Sequence, residues 1–273
     1  MDITKKTAIT YGFLWTKNKG IMPKDRYHFN AMQEVIPEPI VKSQIGIDVG
    51  SGNGYDTYIM AKNNALTRII SIDISDGIYT TRKLTSMLDN VHIIKSSFLS
   101  IPIKDGIFDF AYSFGALHHT EDPREGLMEI SRILKKNAPA FLYLYEDHSD
   151  NLIKYIFVKI SAKLRSVTIN FSPRILHILC YALSPFVFIC FTLPSKILRK
   201  FKYTESMFRR MPFNFGTGFF SLRGDLYDRF SAPIEHRFSR QKIFDMFYKC
   251  GFHNVHITRL KEAAGWVAWG YKK

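Results

Sequence analysis

Residues 45–54, Ile-Gly-Ile-Asp-Val-Gly-Ser-Gly-Asn-Gly, constrain the fold of this chain more than any other stretch. A short apolar run ends in an acid, Asp48, and glycines follow at positions 50, 52 and 54. The segment from Tyr55 to Asn64 then reads as a helix. A strand that turns sharply into a helix leaves backbone N–H groups open at the helix start. Glycine permits that turn and lets a ligand lie against bare backbone. The arrangement suits a nucleotide-like ligand, although a glycine-rich turn by itself can simply join a strand to a helix.

A second strand is expected over Arg68-Ile-Ile-Ser-Ile-Asp73. Its terminal acid lies 19 residues beyond Gly54. A carboxylate at that place can accept both hydroxyls of a ribose, as in nucleotide-binding α/β folds generally. One acid at a strand end is commonly just solvated. Two acids at successive strand ends around a glycine turn favour a ligand.

Further pieces separate the candidate cofactors. They are Ile101-Pro-Ile-Lys-Asp-Gly-Ile-Phe-Asp109, Ser113-Phe-Gly-Ala-Leu-His-His119, Asp122-Pro123 and Glu129-Ile-Ser-Arg-Ile-Leu-Lys135. Together with Asp48–Gly54 and Asp73, their order and spacing resemble the class I S-adenosylmethionine (SAM) methyltransferases. The type 11 group, which includes the ubiquinone/menaquinone methyltransferases, is the most similar. The resemblance covers roughly residues 45–146. A dinucleotide-binding domain would account for the glycines and Asp73, but not for the Phe-Asp strand followed by Leu-His-His.

The resemblance implies an α/β, Rossmann-like, seven-stranded sheet of order 3-2-1-4-5-7-6 with helices on both faces. It implies SAM as cofactor. Asp48, Gly50, Ser51, Gly52, Asn53 and Gly54 would form the turn around the methionine end, and Asp73 would hold the ribose. Ile74 and Phe98 would sandwich adenine, and Ser113 would lie beneath the methionyl portion. Two departures stand out. Ser97 occupies the place where the family often carries an acid for the adenine amino group, and a neutral contact is weaker than a charge-assisted one. Lys136-Asn-Ala-Pro139 replaces the usual Pro-Gly-Gly turn. An N-terminal helical flap over the cofactor is common in such enzymes, and Tyr11-Gly-Phe-Leu-Trp15 and Tyr27-His-Phe29 would furnish it within residues 1–44.

Charge is placed unevenly. Residues 1–150 carry net −1, residues 151–215 carry net +10 with Glu205 as their one acid, and residues 216–273 carry net +5. A basic appendage on a near-neutral domain calls for a local anionic partner surface. The same appendage holds the most apolar run, Ile175 to Leu193, 19 residues without a formal charge. Pro173 and Pro194 bracket this run and Pro185 interrupts it. Its length just reaches that of a membrane span.

A single crossing conflicts with the C-terminal pattern of the chain. Ser239–Gly251 reads as a capped helix, Asn254–Thr258 as a strand and Gly265–Tyr271 as another. In the resembled fold these close the same sheet as strands one to five, with the last strand antiparallel beside the fifth. Residues 151–215 should therefore leave and return on one side. A proline-broken helical hairpin on an anionic membrane surface fits the basic flanks, and a soluble lid over the active site is the alternative. The expected organisation is a flap (1–44), a SAM-binding core (45–150), the apolar basic insertion (151–215) and the closing helix and strands (216–273).

The three cysteines, Cys180, Cys190 and Cys250, show no metal-ligand spacing and are expected to pack in the core of a reduced, cytoplasmic protein. The N-terminus lacks an apolar signal core. For methyl transfer, candidate bases are His119, after the fourth strand, and His236, in a loop resembling one that faces the acceptor in related chains. His118 is a further candidate. Glu146 and Asp147 end the fifth strand, where they could bind a polar acceptor or be solvated. No metal is expected. The leading reading is methyl transfer to an amphipathic small molecule or lipid-linked acceptor. A non-catalytic SAM-binding or membrane scaffold is an alternative. A nucleic-acid methyltransferase is disfavoured, because Ser113-Phe-Gly-Ala stands where exocyclic-amino methylases show Asn/Asp-Pro-Pro-Tyr/Phe.

Overall fold

The computed structural model describes residues 2–17, 44–204, 207, 213, 219–260 and 265–273. Two compact units divide the chain: Met1–Glu146 with Ile234–Lys273, and Asp147–Pro233.

The first unit is built on a seven-stranded sheet. Five strands, β1 (Ile45–Val49), β2 (Arg68–Asp73), β3 (Val91–Lys95), β4 (Phe110–Phe114) and β5 (Pro139–Tyr145), are mutually parallel. Antiparallel β6 (Phe252–Arg259) and β7 (Gly265–Lys272) complete the order β3-β2-β1-β4-β5-β7-β6. The expected order holds, with β7 wedged between β5 and β6 so that the C-terminal strands belong to the same sheet.

Alternate residues of the central strands enter opposite cores, as the period of a strand requires. Ala111 joins Leu127, Ile130 and Ile133 of α4 (Pro123–Ile133) and Ile243 and Phe247 of α9 (Arg240–Lys249). Phe110 and Tyr112 join Met60 and Ala61 of α2 (Tyr55–Asn63) on the other face. Helix starts follow their caps: Asp122 accepts the Arg124 amide ahead of Pro123, and Ser239 accepts the Lys242 amide. The remaining helices of this unit are α1 (Ile3–Lys17) and α3 (Gly77–Leu84). Tyr27 and Phe29, expected in the flap, lie outside the described residues.

In the second unit, α5 (Leu152–Thr168) is followed after a short turn by α6 (Pro173–Val187), a π turn at Phe188–Thr192 and α7 (Leu193–Leu198). The proline-broken hairpin expected at Pro185 is replaced by one continuous rod, Pro173–Leu198. Pro185 and Pro194 both lack an amide hydrogen, and the π turn between them absorbs the lost register. The break in the chain comes instead at residues 169–172. α8 (Phe219–Ser231) packs Leu222, Leu226 and Tyr227 inside this unit, and Thr168 donates its hydroxyl to the Phe230 carbonyl. The unit thus runs to Pro233, beyond the expected boundary at 215. Cys190 is exposed in the π turn, against the expectation of three core cysteines; Cys180 and Cys250 are buried. Glu146 is buried rather than solvated, and it pairs with Arg259 of β6.

The β1–β4 contact leaves no room for a side chain at Gly46, where a Cβ would lie 2.1 Å from the buried Phe110 ring. Gly46→Ala should therefore lower unfolding free energy by about 1–3 kcal/mol in a denaturant titration, and Phe110→Leu in the same chain should recover part of the loss. An unchanged midpoint for the single variant would contradict this packing.

Candidate functional site

The turn after β1 is fixed by β2. Amides of Gly50 and Ser51 donate to the Ile72 carbonyl at 2.8 and 3.0 Å. Asp73, at the end of β2, accepts the Gly52 amide on Oδ2 at 2.8 Å and the Ser75 amide on Oδ1 at 2.7 Å. Glycines 50, 52 and 54 take φ values of +84°, +57° and +78°, the left-handed region that only glycine enters freely. Each Asp73 oxygen keeps lone-pair capacity beyond its backbone bond.

Asp48 sits behind the turn, where its Oδ2 accepts the Thr57 hydroxyl of α2 at 2.5 Å. It is almost wholly buried, so it shapes the turn rather than lining it. Burial, reinforced by the nearby Asp56 carboxylate, pushes its carboxyl up to about 8. Asn53 Oδ1 accepts the Tyr55 amide at 3.3 Å just ahead of α2. Ser51, within the turn, and Ser113, at the end of β4, bury hydroxyls that have no hydrogen-bond partner among the described residues.

The adenine-side residues are placed unevenly. Ile74 is half-buried after β2. Phe98 is buried beside Gly50 and Gly126 and forms part of the core. Ser97 turns its hydroxyl to the Leu99 amide at 3.2 Å, a local turn contact.

α1 lies over the turn. A Cβ at Gly52 would come within 2.9 Å of the Trp15 indole nitrogen. One helical turn earlier, the Tyr11 hydroxyl lies 2.9 Å from His119 Nε2. His119 Nδ1 faces the Ile234 carbonyl at 2.7 Å. A carbonyl only accepts, so Nδ1 carries the hydrogen and neutral His119 presents Nε2 as acceptor to Tyr11. The two sequence-derived base candidates are brought to one turn but differ in use. His236 Nε2 donates to the Thr120 carbonyl at 3.0 Å and its amide donates to the His118 carbonyl at 2.8 Å, so it ties residues 234–238 to the turn at Leu117–His119. His118 is fully buried against Tyr145, ring centroids 3.8 Å apart. Burial, and then its neighbours His119, Arg237 and His236, hold its ring neutral. Tyr11, quoted in the sequence only as part of the flap, is the residue that the structure brings to His119; the Tyr11/Trp15 spacing on one helix face was its only signal.

The set suits a ligand with ribose hydroxyls, an amine and a carboxylate: a glycine turn of bare backbone, a buried carboxylate, and two partnerless hydroxyls. Comparison with known proteins decides which. Residues 47–142 match the methyltransferase domain family model. Residues 47–142 correspond to a class I, type 11 methyltransferase domain. Its cofactor is SAM, and Asp73, Ser51, Ser113 and the glycine turn are the residues that would hold it.

The tRNA U34 carboxymethyltransferase of Ruthia magnifica subsp. Calyptogena magnifica is 31% identical over 133 residues, 46% of this chain and 41% of that protein. The chain thus spans less than half the length of that relative. Among solved structures, the Burkholderia thailandensis 1,6-didemethyltoxoflavin-N1-methyltransferase, with S-adenosylhomocysteine bound, matches with a TM-score of 0.57 at 10% identity over 100% of this chain and 91% of that one. A SAM-dependent methyltransferase from Aquifex aeolicus matches with a TM-score of 0.54 at 13% identity over 95% and 96%. At these identities the structural matches establish the fold.

The raised Asp48 pKa has a testable sign. Between the ordinary value of 3.8 and about 8, the folded protein holds a proton that the unfolded chain has lost. Ligand-free stability should therefore fall as pH rises through that window. Asp48→Asn, which mimics the protonated acid, should melt with a smaller drop between pH 5 and pH 8 than the parent protein; parallel curves would contradict the assignment.

Proposed function

We propose that the chain is a SAM-dependent methyltransferase that modifies an amphipathic small-molecule or lipid-linked acceptor. The observation that carries the reading is the Asp73-pinned glycine turn together with the buried hydroxyls of Ser51, in that turn, and Ser113, at the end of β4, which have no hydrogen-bond partner among the described residues. When bound, SAM supplies an electrophilic methyl group on a sulfonium. The protein must then hold an acceptor in line and shield it from water, and orientation of that kind is worth roughly 7–11 kcal/mol.

Tyr11, Trp15, His119 and Tyr145 gather around the end of β4 and the glycine turn, with Tyr11 and His119 ring centroids 4.8 Å apart and His119 and Tyr145 5.6 Å apart. Such aromatics suit an acceptor with an apolar body and a polar tip. His119 is oriented by the Ile234 carbonyl, and its Nε2 can take the Tyr11 proton as the Tyr11 oxygen takes one from the acceptor. General-base help of this kind contributes about 10²–10⁴-fold. His236, held to Thr120, supports the turn that carries His119.

A nucleic-acid acceptor is the second reading. The naming of the Ruthia relative as a tRNA carboxymethyltransferase favours it. The chain's net charge of +14 is compatible with it. Against it stands the location of the charge in a segment too apolar for a solvated nucleic-acid groove.

Incubation with methyl-labelled SAM and separate lipid, soluble-metabolite and RNA pools distinguishes the readings. Label is expected in a lipid or amphipathic metabolite. Label in RNA would replace this reading with the second, and bound SAM with no labelled product would make the chain a non-catalytic SAM-binding protein. On the identified acceptor, Tyr11→Phe and His119→Gln should each lower kcat by about 100-fold or more with SAM affinity retained. Unchanged turnover in both would remove the proton relay.

A further inference from the structure

The second unit carries helices whose polarity is reversed for a water-soluble protein. On α5, Ile153, Ile156, Ile160, Leu164 and Val167 recur at three- and four-residue spacing, and all are exposed. Lys159 and Lys163 stand exposed beside them. Along the continuous rod of α6 and α7, Ile175, Ile178, Phe186, Ile189, Leu193 and Ile197 form a second exposed stripe, with Ile178 at 65% and Ile189 at 62% exposure. The buried line of the same rod is the more polar one. It includes Cys180, Ser184, Thr192 and Ser195, and the three hydroxyls are at 0% exposure. These hydroxyls donate to the carbonyls of Tyr181, Phe213 and Phe191, so their burial is complete and satisfied. In water the hydrophobic effect turns the opposite face inward. Contiguous exposed apolar surface on this scale marks an interaction surface.

Charge selects the occupant. Residues 151–215 carry net +10, and Arg174, Arg199 and Lys200 lie exposed at the ends of the rod. A second copy would bring one basic face against another, which like charges oppose. An anionic bilayer supplies both an apolar medium and opposite charge. Topology rules out a single crossing. The chain leaves the sheet at Glu146, and Glu146 and Phe238 form a parallel bridge, so departure and return are neighbours at one edge. The rod is 26 residues long, and its neighbour α5 carries Lys154, Lys159, Lys163 and Arg165 along its length, so α5 does not supply a second crossing. We propose that residues 152–200 form a monotopic element that lies in the interface of an anionic membrane, with the stripes on α5 and on the α6–α7 rod turned into the lipid. This does not rest on methyl transfer, since vesicle binding and SAM binding are read separately.

Sedimentation of the full chain with phosphatidylcholine vesicles, with and without phosphatidylglycerol, tests the proposal. Binding should require or strongly favour phosphatidylglycerol and weaken as salt rises. Replacement of Lys159, Lys163 and Lys200 by Gln should lower partitioning by about 100-fold, at roughly fivefold per lysine. Replacement of outward Ile156, Ile160 and Ile178 by Ser should abolish retention while leaving the melting transition and SAM binding in place. Wild-type protein that ignores anionic vesicles would overturn the proposal. So would a stable dimer, seen by ultracentrifugation, that persists with vesicles present and leaves them unbound; the face would then be an interface between copies.

Discussion

Two short hydrogen bonds from backbone amides to one carboxylate organise the first unit. Asp73 holds Gly52 on one oxygen and Ser75 on the other, so the end of β2 fixes both the turn after β1 and the start of α3. Burial raises its pKa, while the Ser75 and Gly52 bonds and the Lys95 charge act in the opposite sense. A buried acid of this kind is costly unless satisfied. Its satisfaction by backbone leaves a rigid rim of bare peptide at the carboxyl end of the sheet, where open α/β folds place ligands.

The site is then closed from a distance. α1 brings Trp15 to Gly52 and Tyr11 to His119, while residues 234–238 reach back from the C-terminal part of the chain to hold the other side of the imidazole. Two remote segments thus set one histidine's tautomer and orientation. The same loop is locked by Glu146, which pairs with Arg259 and whose carbonyl accepts from Arg237. The N-terminal helix, His119 and the end of β5 are thus tied together by hydrogen bonds.

What was legible in the sequence is what local chemistry specifies. The glycine turn, Asp73, the capped helix at Ser239 and the seven-stranded order all derive from spacing, period and family pattern. Contacts that bridge the chain were not legible. Nothing local to Tyr11 points to His119, 108 residues on, and nothing local to Glu146 points to Arg259, so Glu146 read as an acceptor contact or a solvated acid, although it is buried and paired. Phe98 read as a ligand contact; its ring lies beside Gly50 and joins the core, since an aromatic after a strand can serve either use. In the second unit, composition displayed an apolar run, but only the structure separates its outward isoleucines from its inward hydroxyls. Pro185 read as a break and is carried within the helix by the π turn immediately after it.

The central claim is that the glycine turn and Asp73 form a SAM site. Calorimetric titration of the intact chain with SAM, and separately with NADH, tests it most directly. Saturable SAM binding is expected, with no NADH binding. Asp73→Ala should lose about 1.5–3 kcal/mol of SAM affinity, the range for a hydrogen bond to a charged group. NADH binding without SAM binding, or SAM affinity indifferent to Asp73, would contradict the claim.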